Sequence, residues 1–226
     1  MLHPKINKET LEFLKHLKHN NNREWFTENK SRYTKEQANF KGFMATLAQE
    51  MNQHDAIEKS KLFRIYRDIR FSKDKTPYKS SFSGFMSRKG NHRRGGYYVH
   101  IEPGNSFLGA GFWKPEKDDL LRIRKEWGMD AQELKAILRE ESFAATWGPL
   151  QGDSVKTAPK GFDKEHPNID FIKKKQYIFQ KSFTDKEVVS ADFLPNVNRA
   201  FKIIRPYFDL MSNILTTNLN GESLID

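Results

Sequence analysis

The sequence predicts an α+β fold, an antiparallel β-meander sheet covered on one face by N-terminal and C-terminal helices. Apolar residues recur at steps of three and four in the first and last thirds of the chain. Between them the period drops to two, the spacing of strands. The turns inside that middle stretch are too short for helical crossovers, so its strands must run antiparallel.

Leu11, Leu14 and Leu17 mark a first helix, with Asn7 placed to cap it. Residues 19–22, HNNN, read as a turn that ends on Asn22, the expected N-cap of the next helix. Trp25, Phe26, Asn29 and Tyr33, then Phe40, Phe43, Met44, Leu47 and Met51, keep one stripe, with an interruption expected around residues 35–39. In residues 62–71 the odd positions are Phe63, Ile65, Arg67, Ile69 and Phe71; the even ones are Arg64, Tyr66, Asp68 and Arg70. That alternation predicts a strand with one apolar and one polar face. Residues 80–88 give a weaker strand signal. Residues 97–102 set Tyr97, Val99 and Ile101 against Tyr98, His100 and Glu102, and the turn Pro103-Gly104-Asn105 leads into a strand over 106–113.

Pro115 suits a first helical turn. Leu120, Leu121, Ile123 and Trp127 follow, then Leu134, Ile137 and Leu138 after a break at Gly128. Residues 146–167 form a Gly- and Pro-rich loop, and 175–183 a further strand. Phe193, Val197, Phe201, Ile204, Phe208, Met211 and Leu215 line an amphipathic helix that Pro206 should kink or split. The expected whole is a single domain over 1–226: helical 1–55, sheet core 60–113, helices and loop 114–174, strand 175–183, C-terminal helices 190–219.

A packed interior is expected despite the 30 % charged residues, because 13 % of the chain is aromatic, with 18 Phe and 4 Trp. There is no cysteine, which excludes disulfides, thiolate zinc, iron–sulfur clusters and a cysteine nucleophile, and fits a reducing compartment. Met1 to Thr10 lacks the apolar core of a signal peptide. No apolar run approaches the roughly 18 residues of a membrane span. A cytoplasmic protein with no membrane partner is expected.

Charge is concentrated. Residues 61–95 hold eleven Lys and Arg against Asp68 and Asp74, so nine of the ten net positive charges lie there. A localised basic block suggests that an anion is handled in that region. Arg67 falls among the apolar positions of its segment, and a buried guanidinium needs a carboxylate, several carbonyls or a bound anion. A structural ion pair or a bulged register would serve it as well as a ligand. On the polar side, Arg64, Tyr66, Asp68 and Arg70 on one strand would meet Tyr98, His100 and Glu102 on another if the strands are neighbours. Gly109 and Gly111 on a third strand leave room for a ligand or another backbone. The alternative is an ordinary solvated sheet face with cross-strand charge pairs. Residues 72–79 add Lys73, Lys79 and two hydroxyls, a loop able to hold phosphate or carboxylate, or simply a solvated lysine-rich turn. Residues 88–96 read as a basic hairpin tip, a solubilising loop more than a nucleic-acid arm.

The sequence carries no phosphate-binding Gly-Lys-Ser/Thr loop, no nucleophile elbow and no His-Glu-x-x-His. His100, Glu102 and Asp68 offer mixed nitrogen and oxygen donors, but two strand residues at i, i+2 do not make a metal site, and none is assigned. His166 and Asp170 suit capping or packing.

The run Phe63-Arg64-Ile65-Tyr66-Arg67-Asp68-Ile69-Arg70-Phe71-Ser72-Lys73-Asp74-Lys75-Thr76-Pro77-Tyr78-Lys79 resembles the signature of domain-of-unknown-function family 2461, an uncharacterised bacterial and fungal family. The resemblance extends to Asn21-Asn22-Arg23-Glu24-Trp25-Phe26 and Asn29-Lys30, to residues 96–104 and 107–113, to Pro159-Lys160-Gly161-Phe162-Asp163 and to His166-Pro167. It implies one domain over the full length and carries over no activity and no catalytic residue. Where relatives tend to show Arg and Phe after the His-Pro pair, this chain has Lys173 and Tyr177, which keep the basic and aromatic character.

These readings point to an anionic small molecule, phosphate- or carboxylate-bearing, bound at the basic polar sheet face. Arg64, Arg67, Arg70, Lys73 and Lys79 would supply charge, Tyr66 and Tyr98 hydroxyls or a stacking surface, and Asp68, His100 and Glu102 any acid–base chemistry. Whether a reaction follows, and with which cofactor, the sequence does not say. A nucleic-acid-binding module using residues 61–95 is the alternative, and a protein partner a third.

Overall fold

The computed structural model describes residues 5–225. The signal-peptide reading of Met1 to Thr10 therefore falls partly on residues outside the described ones. Unit boundaries cut across the sequence. One compact unit comprises residues 1–86, 98–108 and 182–199; the other comprises 87–97, 109–181 and 200–226.

The fold is α+β, with a five-stranded antiparallel open sheet. Its strands are β1 (Ile57–Leu62), β2 (Phe82–Arg88), β3 (Gly96–Ile101), β4 (Ser106–Phe112) and β5 (Tyr177–Phe183), and they lie side by side in chain order. The helices are α1 (Lys8–His19), α2 (Arg23–Glu28), α3 (Lys30–Met51), α4 (Lys117–Met129), α5 (Gln132–Arg139), α6 (Glu141–Trp147), α7 (Ile169–Ile172), α8 (Asp185–Val188), α9 (Phe193–Ile203) and α10 (Arg205–Thr216).

Alternation along β3 and β4 translates directly into burial. Tyr97, Val99, Ile101, Leu108, Ala110 and Phe112 are buried, while Tyr98, His100, Phe107, Gly109 and Gly111 are half-exposed. The buried face takes the helices. In the first unit Phe82 stacks on Phe13 of α1 and Phe40 of α3. In the second, Tyr97 packs against Phe201 of α9 and Phe208 of α10. Asn22 caps α2 by accepting the Trp25 N–H at 2.9 Å. Pro206 sits in the first turn of α10, and the C-terminal helical stretch is split there, as its ring requires. Gly111 takes a positive φ of 127°, and a Cβ there would lie 2.3 Å from the Tyr177 carbonyl oxygen. The close neighbour on β4 is thus the backbone of β5.

Three expectations are corrected. Helix α3 runs unbroken through residues 35–39, because its inward polar residue is satisfied: Glu36, 3 % exposed, accepts the Thr10 hydroxyl at 2.6 Å and the Asn39 amide at 3.2 Å. Pro115 precedes α4, whose N-cap is Glu116. The strand expected over 62–71 ends at Leu62. Beyond it, Phe63 N–H still bonds Ser83 at 2.9 Å, then the chain pairs with a later segment: Arg67 N–H to Pro77 O at 2.9 Å and Lys79 N–H to Ile65 O at 2.8 Å. Ile65 turns inward at 1 % exposure while Phe71 stands 96 % exposed, so the two do not share one apolar face.

Candidate functional site

All the sequence-predicted site residues belong to the first unit, and they fall into two groups. The first occupies the hairpin formed by residues 63–80. Its tip is braced from within. Arg67 hydrogen-bonds the Asp74 carboxylate and the Thr76 hydroxyl. Arg70 grips Asp68 with two bonds, Nε to Oδ1 at 2.9 Å and a terminal nitrogen to Oδ2 at 2.6 Å. Lys75 Nζ donates to the Ile69 carbonyl at 3.0 Å. The Arg67 hydrogen bond, helped by the Thr76 N–H and hydroxyl, holds the Asp74 carboxyl at about 2. The Arg70 hydrogen bonds likewise hold Asp68 below its ordinary value. Arg67 therefore sits in a structural ion pair, and Asp68 and Arg70 answer each other. Lys73 is exposed on the same loop. Tyr66, 46 % exposed, packs edge-on to Phe26, which stacks on Tyr78.

Asn21, in the turn between α1 and α2, fastens this hairpin to the helices. Its amide nitrogen donates to the Tyr78 carbonyl at 2.9 Å, and its carbonyl accepts the Tyr78 N–H at 3.1 Å.

The second group lies on the half-exposed face of β3. His100 Nε2 is 3.3 Å from Glu102 Oε2, and His100 Nδ1 is 3.1 Å from the Tyr98 hydroxyl. Ser83 of β2 hydrogen-bonds that hydroxyl in turn. Ser80 and Asn105 donate to Glu102 at 3.0 Å each. Burial raises Glu102, but the hydrogen bonds from Asn105, His100 and Ser80 outweigh it and hold the carboxyl below its usual range. Burial lowers His100, and the Glu102 contact only partly restores it. Burial raises Tyr98. At neutral pH the group is a carboxylate, a neutral imidazole and a phenol.

The two groups meet at Lys79. Its Nζ lies 5.6 Å from the centre of the Phe63 ring, and its ammonium is disfavoured by burial and by Arg64 and Arg67. Among the described residues neither Lys79 nor Arg64 forms an ion pair with a carboxylate. Asp68 makes no hydrogen bond to the β3 group. No three His, Asp or Glu side chains among the described residues are grouped to hold a metal ion.

Residues 9–210 match the family described as Conserved hypothetical protein (DUF2461). The chain belongs to that family. No curated protein and no solved structure matches it. The matched range of this DUF2461 chain includes the braced hairpin and the Asn21 that attaches it.

Two other basic residues of the 61–95 block are paired with carboxylates. Arg88, expected at an exposed tip, is 4 % exposed and bonds Asp209 at 2.7 Å and Ser212 at 3.2 Å; Arg94 pairs with Asp119. A groove of ≈ 690 Å³ around Leu138, Leu150 and Phe171 in the second unit contains none of the predicted site residues. Sequence reasoning missed Ser80, Ser83, Asn105, Phe63 and Phe107. Only the spacing of Tyr98, His100 and Glu102 at i, i+2, i+4 announced the chain of hydrogen bonds. Among the described residues, no helix is long and apolar enough to cross a membrane.

Proposed function

We propose that the half-exposed face of β3 binds an anionic small molecule bearing phosphate or carboxylate, and that its hydrogen-bond chain can move one proton on it. The observation that carries this reading is Lys79: a half-buried ammonium beside Arg64, without a carboxylate partner among the described residues, next to a chain of acid–base groups. An anion there would relieve the repulsion among these cations. Arg67 and Arg70 shape the loop, and Arg64 and Lys79 supply the available charge.

The chain has a direction. A carboxylate only accepts, so Nε2 of His100 carries the proton and Nδ1 accepts from Tyr98. A ligand proton can enter at the Tyr98 oxygen as the phenolic proton passes to Nδ1; Glu102 then stabilises the imidazolium. The lack of cysteine supports a reducing, cytoplasmic setting for this chemistry.

Titration calorimetry with inorganic phosphate and with carboxylate-bearing metabolites tests the reading. Arg64→Ala and Lys79→Met should each weaken phosphate binding about tenfold while the fold is kept. Affinity unchanged in both variants would refute it.

A second reading, nucleic-acid binding, draws on Phe71, 96 % exposed between Arg70 and Lys73. An exposed ring flanked by cations suits base stacking. Elution from immobilised heparin at low salt would remove it.

A further inference from the structure

The face that carries Lys79 and Tyr98 is lined with rings as well as charge. Phe63, just past β1, is 39 % exposed and meets Tyr98 edge-on at 6.0 Å. Tyr98 contacts Phe107 of β4 at 5.8 Å. Phe107 stacks on His100 at 4.7 Å and 20°. Phe85 of β2, 36 % exposed, alternates with buried Gly84 and Met86 and so projects from the same face. An antiparallel sheet normally shows water its polar side chains on the uncovered face. Here that face carries a strip formed by the rings of Phe63, Tyr98 and Phe107, each in contact with the next, with the Tyr98 hydroxyl among them. Large rings left in partial contact with water, on adjacent strands and beside unpaired cations, mark a surface for a flat π-system.

We propose that the anionic ligand is a nucleoside monophosphate, its base stacked on the strip at Phe63 and its phosphate held by Arg64 and Lys79. This rests on the anion-binding reading above and adds to it the class of molecule that bears the phosphate. Lys79 stands over the Phe63 ring, so a base entering there displaces the ammonium towards the phosphate of the same ligand. Stacking is tolerant of base identity, because each base has a π-face. The strip therefore selects for an aromatic base without choosing among bases.

The test titrates the full chain with inorganic phosphate, ribose 5-phosphate, AMP and UMP. AMP and UMP should bind about tenfold or more tightly than ribose 5-phosphate. Phe63→Leu should erase that margin and leave ribose 5-phosphate affinity unchanged, since the cations stay. A second variant, Phe107→Leu, guards against misfolding of the first. Equal affinities for AMP and ribose 5-phosphate, with phosphate binding intact, would overturn the inference and leave the anion reading standing. No binding of any of the four would overturn both. An oligothymidylate that binds far more tightly than UMP, with steep salt dependence, would also overturn it, since the partner would then be a polymer.

Discussion

The hydroxyl of Tyr98 lies 3.1 Å from Nδ1 of His100, two residues further along the same strand. Because Glu102 occupies Nε2, this contact fixes one tautomer, in which Tyr98 donates to Nδ1.

Acid should weaken the fold through His100. Burial holds its folded value below the ordinary one of about 6.5. Between those values the unfolded chain binds more protons, so stability is full above about 6.5 and falls as pH drops through the folded value. The melting temperature should decline as pH falls below about 6.5, and His100→Gln should flatten that decline. Glu102, also lowered, acts in the same direction only at more acid pH. A flat wild-type profile over this window would contradict the assignment.

Asp74→Asn should loosen the hairpin tip without unfolding the protein. The residue is exposed, so the melting temperature should hardly move. Limited trypsin digestion should cut faster within residues 67–75, where Arg67 has lost its ion-pair partner. Unchanged digestion would mean the ion pair does not order the loop.

Asp209→Ala should be costly despite the exposure of Asp209 itself. It removes one carboxylate partner of Arg88, whose side chain is only 1 % exposed and lies over the Phe208 ring. A loss of about 3 kcal/mol in chemical denaturation is expected. A loss near zero would show that the remaining partners of Arg88, Ser212 and the Arg94 carbonyl among them, suffice.

Gly111→Ala should be a damaging small change. It combines a positive φ with a clash against the Tyr177 carbonyl, and should cost about 3 kcal/mol or more. Gly104→Ala isolates the first part, since its φ is +74° and nothing lies within 4 Å of an added Cβ; about 1 kcal/mol is expected. Equal losses in the two variants would show that the approach of β5 is not what demands glycine.

Strands were legible where alternation and burial coincide, as at Tyr97 to Ile101 and along β4. Asn22 and Pro206 were legible because capping and ring geometry act locally. Residues 63–71 misled because alternating charge satisfies a second arrangement equally well: Arg67, Asp68, Arg70 and Asp74 pair among themselves, which needs no continuing sheet. Glu36 interrupted the apolar stripe of α3 on paper only, since its partner Thr10 lies 26 positions earlier. Of the candidate site, the β3 spacing of Tyr98, His100 and Glu102 was visible. The commitment of each arginine to a particular carboxylate was not, because one-dimensional charge counts carry no partners.

The Asn21 side chain offers Tyr78 what a neighbouring strand would: one acceptor and one donor, 57 positions away in sequence. The hairpin's alignment is thereby set by a residue that must itself first be delivered by the docking of α1 and α2. Closing that span costs chain entropy, which the docking of α1 and α2 must offset. A change that displaces the turn carrying Asn21 would therefore be felt as a slip in the distant hairpin, without any residue of the hairpin being altered.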